Sequence, residues 1–301
     1  MIEIKKENIK VPLTVPPKLQ ETYIQNFLAA TKNTGRLFLF AGDQKIEHLN
    51  QDFYGPGISP DDADPKHMFE IAKHGNVGVF ATHLGLIARY GQNYKDVKYL
   101  VKLNAKTNLV SKDLDDPMSF QIHTVDQVAE FKQNSGLKVL GVGYTLYLGS
   151  KYESQMLSHV AQVIWQAHQH GMLSVIWIYP RGKSVKDELS GEIIAGACGV
   201  GLGINADFVK VNPPLSANSF ESAKLLKHAT IAAGRTKIVC SGGTMKNQED
   251  FLTSLYHQLH TGGTSGIAVG RNLHQRNLDE AVAFCNRISD IIYNDAVINI
   301  L

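Results

Sequence analysis

Cysteine is scarce in this 301-residue chain, and the three present, Cys198, Cys240 and Cys285, stand far apart in apolar stretches. That spacing excludes a disulfide framework and a C-x-x-C metal site, and leaves them as small core residues. Runs of Lys or Arg are absent and the net charge is only +2, so nothing marks a nucleic-acid or anionic-membrane partner. No segment is apolar for the length a bilayer requires, and Met1 to Glu7 lacks the apolar core of a signal peptide. The expectation is a cytoplasmic protein with a small-molecule partner. No G-x-G-x-x-G follows the first apolar run, and Gly141-Val142-Gly143 leads into Tyr144-Thr145-Leu146 instead of a helix-opening turn, against an open-sheet dinucleotide fold.

What is present is a rhythm. With 44% hydrophobic side chains the chain can bury a large core, and no linker divides it. Short β-branched or apolar runs recur at 37–42, 77–82, 99–104, 139–144, 175–180, 208–212, 238–241 and 267–270, each ending in a polar or turn residue and followed by helical spacing. Eight such βα units predict an α/β fold, a closed (β/α)8 TIM barrel over 36–301. Residues 1–35 form an N-terminal extension whose helix, 17–31, lies across the barrel bottom or in a subunit contact. In 154–170, Met156, Val160, Val163, Ile164 and Ala167 share one face, a core stripe. The loop 49–65, rich in Gly, Pro and Asp, falls after the first strand on the catalytic face, either as a lid or as a solvated insertion.

Lys210, in Phe208-Val209-Lys210-Val211-Asn212, is an ionisable residue inside a run that otherwise reads as a buried strand. Burying an ammonium is costly unless it is paired or neutral, and a neutral lysine amine is the nucleophile that forms Schiff bases with carbonyls. The structural alternative is a strand-end lysine paired with Asp207. Barrels assemble their sites at strand C-termini, where this chain also places Asp43 and Tyr179. Asp43 could instead cap the next helix, and Tyr179 could merely pack its ring with the hydroxyl in water. The seventh and eighth strands run into Ser241-Gly242-Gly243 and Gly270-Arg271, the usual place for a phosphate cradle. Amine, acid, phenol and cradle together specify carbon–carbon bond chemistry on a phosphorylated substrate through an imine.

In order and spacing, Asp43 with Ile46-Glu47-His48, Tyr179-Pro180-Arg181-Gly182, Lys210, Ser241-Gly242-Gly243 and Gly266 to Asn272 resemble the archaeal-type class I fructose-bisphosphate aldolases, within the deoxyribose-phosphate aldolase-like Schiff-base barrels. The resemblance implies Lys210 as Schiff-base lysine, Tyr179 as the proton-transfer group, and Asp43 as an aid to carbinolamine formation and dehydration. It implies Trp177 and Arg181 in the substrate pocket, and Ser241, Gly242, Gly243, Gly270 and Arg271 around the phosphate of a dihydroxyacetone phosphate moiety. It implies no metal and no cofactor, because the imine replaces a Lewis acid, and a homo-oligomer, often a decamer. His48, beside Glu47 at the mouth, would support Asp43 or the substrate hydroxyls.

The chain departs from the family at Gln44-Lys45, at Leu49-Asn50 leading into the long loop, and at Val211-Asn212-Pro213-Pro214 after the lysine. Lys45 could pair with Asp43, bind a second phosphate or compete for the imine. A transaldolase-type synthase such as 2-amino-3,7-dideoxy-D-threo-hept-6-ulosonate synthase would use the same residues, whereas a related thiolase lacks the Tyr-Pro-Arg-Gly segment. A non-catalytic sugar-phosphate binding barrel is the third reading. Lys102 and Lys106 flank the end of the third strand, where they could enter the mouth and touch substrate or stand as solvated or ion-paired side chains. His83, His123 and His274 lack partners at metal-ligand spacing and read as pocket or surface residues.

Overall fold

The computed structural model describes residues 3–111 and 113–297. Runs of apolar residues buried on both faces make parallel strands, and eight of them form here: Leu37–Ala41 (β1), Val79–His83 (β2), Lys98–Lys102 (β3), Lys138–Leu148 (β4), Leu173–Pro180 (β5), Phe208–Val211 (β6), Lys237–Ser241 (β7) and Gly266–Val269 (β8). They pair in chain order and β8 closes on β1, giving the expected (β/α)8 barrel. Several strand boundaries differ from the sequence reading by a residue or more, and two of them bear on the site. β4 continues to Leu148 because its register with β5 goes on pairing Tyr147 with Tyr179 and Leu148 with Pro180. β3 stops at Lys102; Asn104 turns away to bridge Gln121 and donates its side-chain amide to the Thr145 carbonyl.

Helices begin where side chains satisfy their first N–H groups: Thr124, Ser190, Asn218, Asn247 and Asn277 each accept from the backbone two or three residues on. The helix Glu153–Gln169 buries the expected stripe of Met156, Val160, Val163, Ile164 and Ala167. The helix Gln20–Thr31 closes the N-terminal end of the barrel: Phe27 stacks on Phe208 at 5.9 Å, Lys98 donates to the Ala29 carbonyl, and Tyr23 donates to Asp207. Asp207 also accepts from the backbone and hydroxyl of Ser174 and lies 3.1 Å from His168. It is therefore spent at the barrel bottom and is not the partner of Lys210, whose side chain serves the other end.

The loop after β1 is not a loose insertion. It folds back on the short helix Arg271–His274 beyond β8, with Asp62 inside a 3-10 turn, Pro60–Ala63, paired to His274 at 2.7 Å and both side chains fully buried. No described helix is long and apolar enough to cross a membrane.

Candidate active site

At the C-terminal ends of the strands lies a cavity of about 160 Å³ lined by Asp43, Glu47, Trp177, Tyr179, Arg181, Lys210, Gly243, Gly270 and Arg271, among others. A wider cavity, about 490 Å³, opens at the opposite end, but there the Tyr23 phenol is bonded to Asp207, which Ser174 and His168 also hold, and the Lys237 ammonium lies 6.0 Å from the centroid of the Phe27 ring. The candidate site is the smaller one.

Strand register brings the key side chains together. Lys210 on β6 is the direct neighbour of Trp177 on β5, and Tyr179 stands two residues on, facing the same way. Trp177 fits because Gly143 on β4 lacks a Cβ, which would come within 2.6 Å of the indole. The indole then lies under two ammonium groups, with Lys210 Nζ 5.0 Å and Lys102 Nζ 5.2 Å from its centroid. Lys210 is 5% exposed. Burial, the largest influence, lowers its pKa; Asp43 and Glu47 oppose that, and Arg181 and Arg271 add to the lowering. The amine is thereby eased toward its neutral, nucleophilic form.

Asp43 opens the short helix Gln44–Glu47 but makes no capping bond with its side chain, so capping does not explain it. Burial would raise its pKa, yet the net direction is downward, because Lys102, Lys210 and His83 place positive charge around it. Lys102 Nζ lies 3.5 Å from Asp43 and 3.4 Å from Glu47 and is fully buried. His83 bridges the backbone, 3.2 Å from the carbonyls of both Asp43 and Lys102. Asp43 Oδ1 and Trp177 Nε1 line the cavity end of the strands, buried and with no hydrogen-bond partner among the described residues.

Tyr179 is buried, and desolvation, above all, raises its phenol well above the ordinary range, while the Arg181 guanidinium, 4.2 Å over the ring, works the other way. The turn carrying Arg181 lies hard against β4: Gly182 donates to the Leu148 carbonyl at 3.1 Å, and a Cβ at 182 would meet the Gly149 carbonyl at 1.6 Å. The glycine that ends Tyr-Pro-Arg-Gly is thus a packing requirement.

Across the cavity Gly243 takes a left-handed conformation, φ 72°, and Asn272 stitches this turn to β8 by donating to the carbonyls of Gly242 and Thr244 at 3.2 and 2.9 Å and accepting from Lys246 N–H. Ser241 lines the cavity, but its hydroxyl is committed to Asn212 at 2.5 Å.

Several expectations need correction. Of the two roles read for His48, support of Asp43 gives way to pairing of its Nδ1 with Asp52 at 2.7 Å, while the residue does line the cavity. Lys45 neither pairs with Asp43 nor enters the imine position, since its ammonium sits 4.1 Å over the Phe53 ring. His274 is a fully buried partner of Asp62. Lys102 is ion-paired, as read, but to the site itself. Glu47, Lys102 and Asn272 were missed as site residues. Lys102 had the same signal as Lys210, a lysine inside an apolar strand, Tyr99-Leu100-Val101-Lys102-Leu103.

A barrel that holds a desolvated amine where a carbonyl can reach it is the architecture of imine-forming aldolases. The chain belongs to the DeoC/LacD aldolase family, whose pattern matches residues 37–276. Among curated relatives, a Methanocaldococcus jannaschii protein named fructose-bisphosphate aldolase/6-deoxy-5-ketofructose 1-phosphate synthase is 52% identical over 285 residues, 95% of this chain and 90% of its own. A Halobacterium salinarum class 1 fructose-bisphosphate aldolase is 32% identical, covering 88% and 93%. Among solved structures, a Slackia heliotrinireducens fructose-bisphosphate aldolase superposes with a TM-score of 0.95 at 52% identity, covering 98% and 93% of the two chains. An archaeal fructose-1,6-bisphosphate aldolase described with its catalytic Lys bound to a carbinolamine superposes with a TM-score of 0.76 at 30% identity, covering 89% and 98%. The chain is accordingly an enzyme, an aldolase of the Schiff-base class, related to the archaeal-type class I fructose-bisphosphate aldolases.

Proposed function

We propose that the substrate is fructose 1,6-bisphosphate, cleaved reversibly to dihydroxyacetone phosphate and glyceraldehyde 3-phosphate by way of an imine on Lys210. The observation that carries this reading is the placement of Lys210 between two cationic poles. Arg271 beyond β8 and Arg181 beyond β5 both line the cavity, and Lys210 feels the charge of each. Lys106 adds to the second pole, within reach of the charge on Arg181. Two guanidinium groups flanking one amine suit a ketose with a phosphate at either end.

In this reading neutral Lys210 attacks C2, and the carbinolamine loses its hydroxyl as water with a proton delivered by way of Asp43, whose surrounding cations keep it ionised and able to cycle. The resulting iminium withdraws electrons from C3. Tyr179, whose phenol proton leaves with the carbinolamine hydroxyl as water by way of Asp43, takes as phenolate the C4 hydroxyl proton as the C3–C4 bond breaks and glyceraldehyde 3-phosphate leaves. Its raised pKa is offset at that moment by the new positive charge on the imine and by Arg181. The same phenol then returns the proton to C3 of the enamine, and water releases dihydroxyacetone phosphate. Gly243, Gly270 and Arg271 hold the proximal phosphate throughout.

A second reading, a transaldol synthase, is favoured by one observation, the double name of the Methanocaldococcus jannaschii relative. It uses the same Lys210 imine but passes the three-carbon unit to another aldehyde. The deciding experiment is borohydride reduction in the presence of dihydroxyacetone phosphate, fructose 1,6-bisphosphate or neither, with the adduct located by peptide mass spectrometry. We expect it on Lys210 and lost in Lys210→Met; an adduct on Lys102 would overturn the assignment. Turnover of fructose 1,6-bisphosphate alone supports the aldolase, and turnover only with an added acceptor aldehyde supports the synthase.

A further inference from the structure

The folded-back loop brings a carboxylate to the rear of the phosphate cradle. Asp52 is 8% exposed, and its Oδ2 lies 3.7 Å from Arg271 Nε and 2.7 Å from His48 Nδ1. The loop around it is bolted down. Gln275 donates its side-chain amide to the Asp52 carbonyl at 2.8 Å, and the Ser59 N–H donates to the Gln275 carbonyl at 3.0 Å. Next in sequence, Phe53 is fully buried and stacks on His274 at 4.9 Å with the planes 14° apart, while Asp62 holds the other side of that imidazole. The segment 271–276 and the loop are thus one packed unit, with Asp52 at its seam.

An arginine side chain has many rotamers, and fixing it on a ligand costs conformational entropy unless it is already held. A carboxylate on the Nε side holds it while leaving the two terminal NH2 groups for a phosphate. We infer that Asp52 is a positioning residue, which sets the Arg271 guanidinium in advance for the proximal phosphate of the substrate, and that the long loop after β1 exists to place it there. This rests on the phosphate reading of the cradle given above. The inference commits to a sign. A carboxylate acting only through its charge would weaken phosphate binding, so its removal would tighten it; a carboxylate that positions Arg271 makes its removal a loss.

The test compares two ketones that differ only in the phosphate, dihydroxyacetone phosphate and dihydroxyacetone, by the concentration needed for half-maximal borohydride trapping on Lys210 in the full-length protein. Arg271→Ala should weaken the phosphorylated ketone about a hundredfold more than dihydroxyacetone, as expected for losing a charge-assisted bidentate contact, since any change at the Lys210 amine falls on both ketones alike. Asp52→Asn should weaken the phosphorylated ketone about tenfold, leaving dihydroxyacetone unchanged. The double variant should lose no more than Arg271→Ala alone, because Asp52 acts only through that side chain. Gln275→Leu, which cuts the backbone anchor of Asp52 without altering charge, should show the same selective pattern at about threefold, and it carries the test if Asp52→Asn fails to fold. Unchanged or tighter binding of the phosphorylated ketone in Asp52→Asn, or equal losses for both ketones, overturns the inference. Should Arg271→Ala fail to separate the two ketones, the phosphate reading falls and the role of Asp52 falls with it; a selective loss in Arg271→Ala with none in Asp52→Asn removes Asp52 alone.

Discussion

Lys102→Met is the substitution whose effect can be worked furthest from the geometry. Lys102 is fully buried, 3.5 Å from Asp43 and 3.4 Å from Glu47. At an effective dielectric of about 20, a charge pair at that distance is worth about 4–5 kcal/mol, or about three pKa units at about 1.36 kcal/mol each. Methionine fills similar space without the charge, so both carboxylates then lean on Lys210. Part of the imbalance is relieved by proton uptake at the acids, because the cation that most opposes the burial of Asp43 is gone. The rest raises the Lys210 amine, so near neutral pH its neutral fraction falls and imine formation slows, by on the order of tenfold or more. The assay is the rate of borohydride trapping with dihydroxyacetone phosphate as a function of pH. In the variant the inflection should move upward and the rate should recover in alkaline buffer. Glu47→Gln should move it downward, since Glu47 raises the pKa of Lys210, and the double variant should return it toward the parent. An unmoved inflection in folded Lys102→Met would falsify the reasoning and leave Lys102 a structural ion with no hold on the imine.

Other outcomes follow from the same site. Tyr179→Phe should lower kcat for cleavage about a hundredfold or more while leaving the Lys210 adduct with dihydroxyacetone phosphate intact; a change in KM alone would make Tyr179 a pocket wall. Gly270→Ala should raise KM for phosphorylated ketoses, because the new methyl would stand 2.3 Å from the Gln44 amide and push it into the cradle; steady-state kinetics with no KM change would refute that path. Tyr23→Phe removes a buried donor to Asp207 and should destabilise the protein by about 1–3 kcal/mol, read as a lower urea midpoint, with kcat unaltered. Stability should also rise with pH through the lowered folded pKa of Lys210: below it both states are protonated, and above it the unfolded chain, whose lysine titrates near about 10.4, binds the extra proton.

The barrel was legible because parallel strands buried on both faces write themselves as apolar runs, and each βα unit supplies its own turn and cap. The reactive lysine was legible for the same reason inverted, a charge where the pattern allows none. Lys102 carried that signal too, but its meaning depended on Asp43 and Glu47, which reach it from the end of β1 some 55 residues away; sequence spacing does not encode such a meeting. The pairing of His48 with Asp52 was not legible because Asp52 lies in a loop without periodicity. The destination of that loop is set by burial of Phe53, Asp62 and His274, and a Gly- and Pro-rich composition conceals packing of this kind. The place of Lys45 over the Phe53 ring was hidden for the same reason.

The chain has two tryptophans, Trp165 and Trp177, and they lie in opposite environments, 55% and 1% exposed. Because Trp177 carries the ammonium groups of Lys102 and Lys210 near its ring, the loss of a proton from Lys210 or its conversion to an imine changes the field across the indole. Iodide can silence the exposed tryptophan and leave the buried one emitting. The residual fluorescence then follows the state of the reactive nitrogen through a catalytic cycle, in the native chain and without a dye.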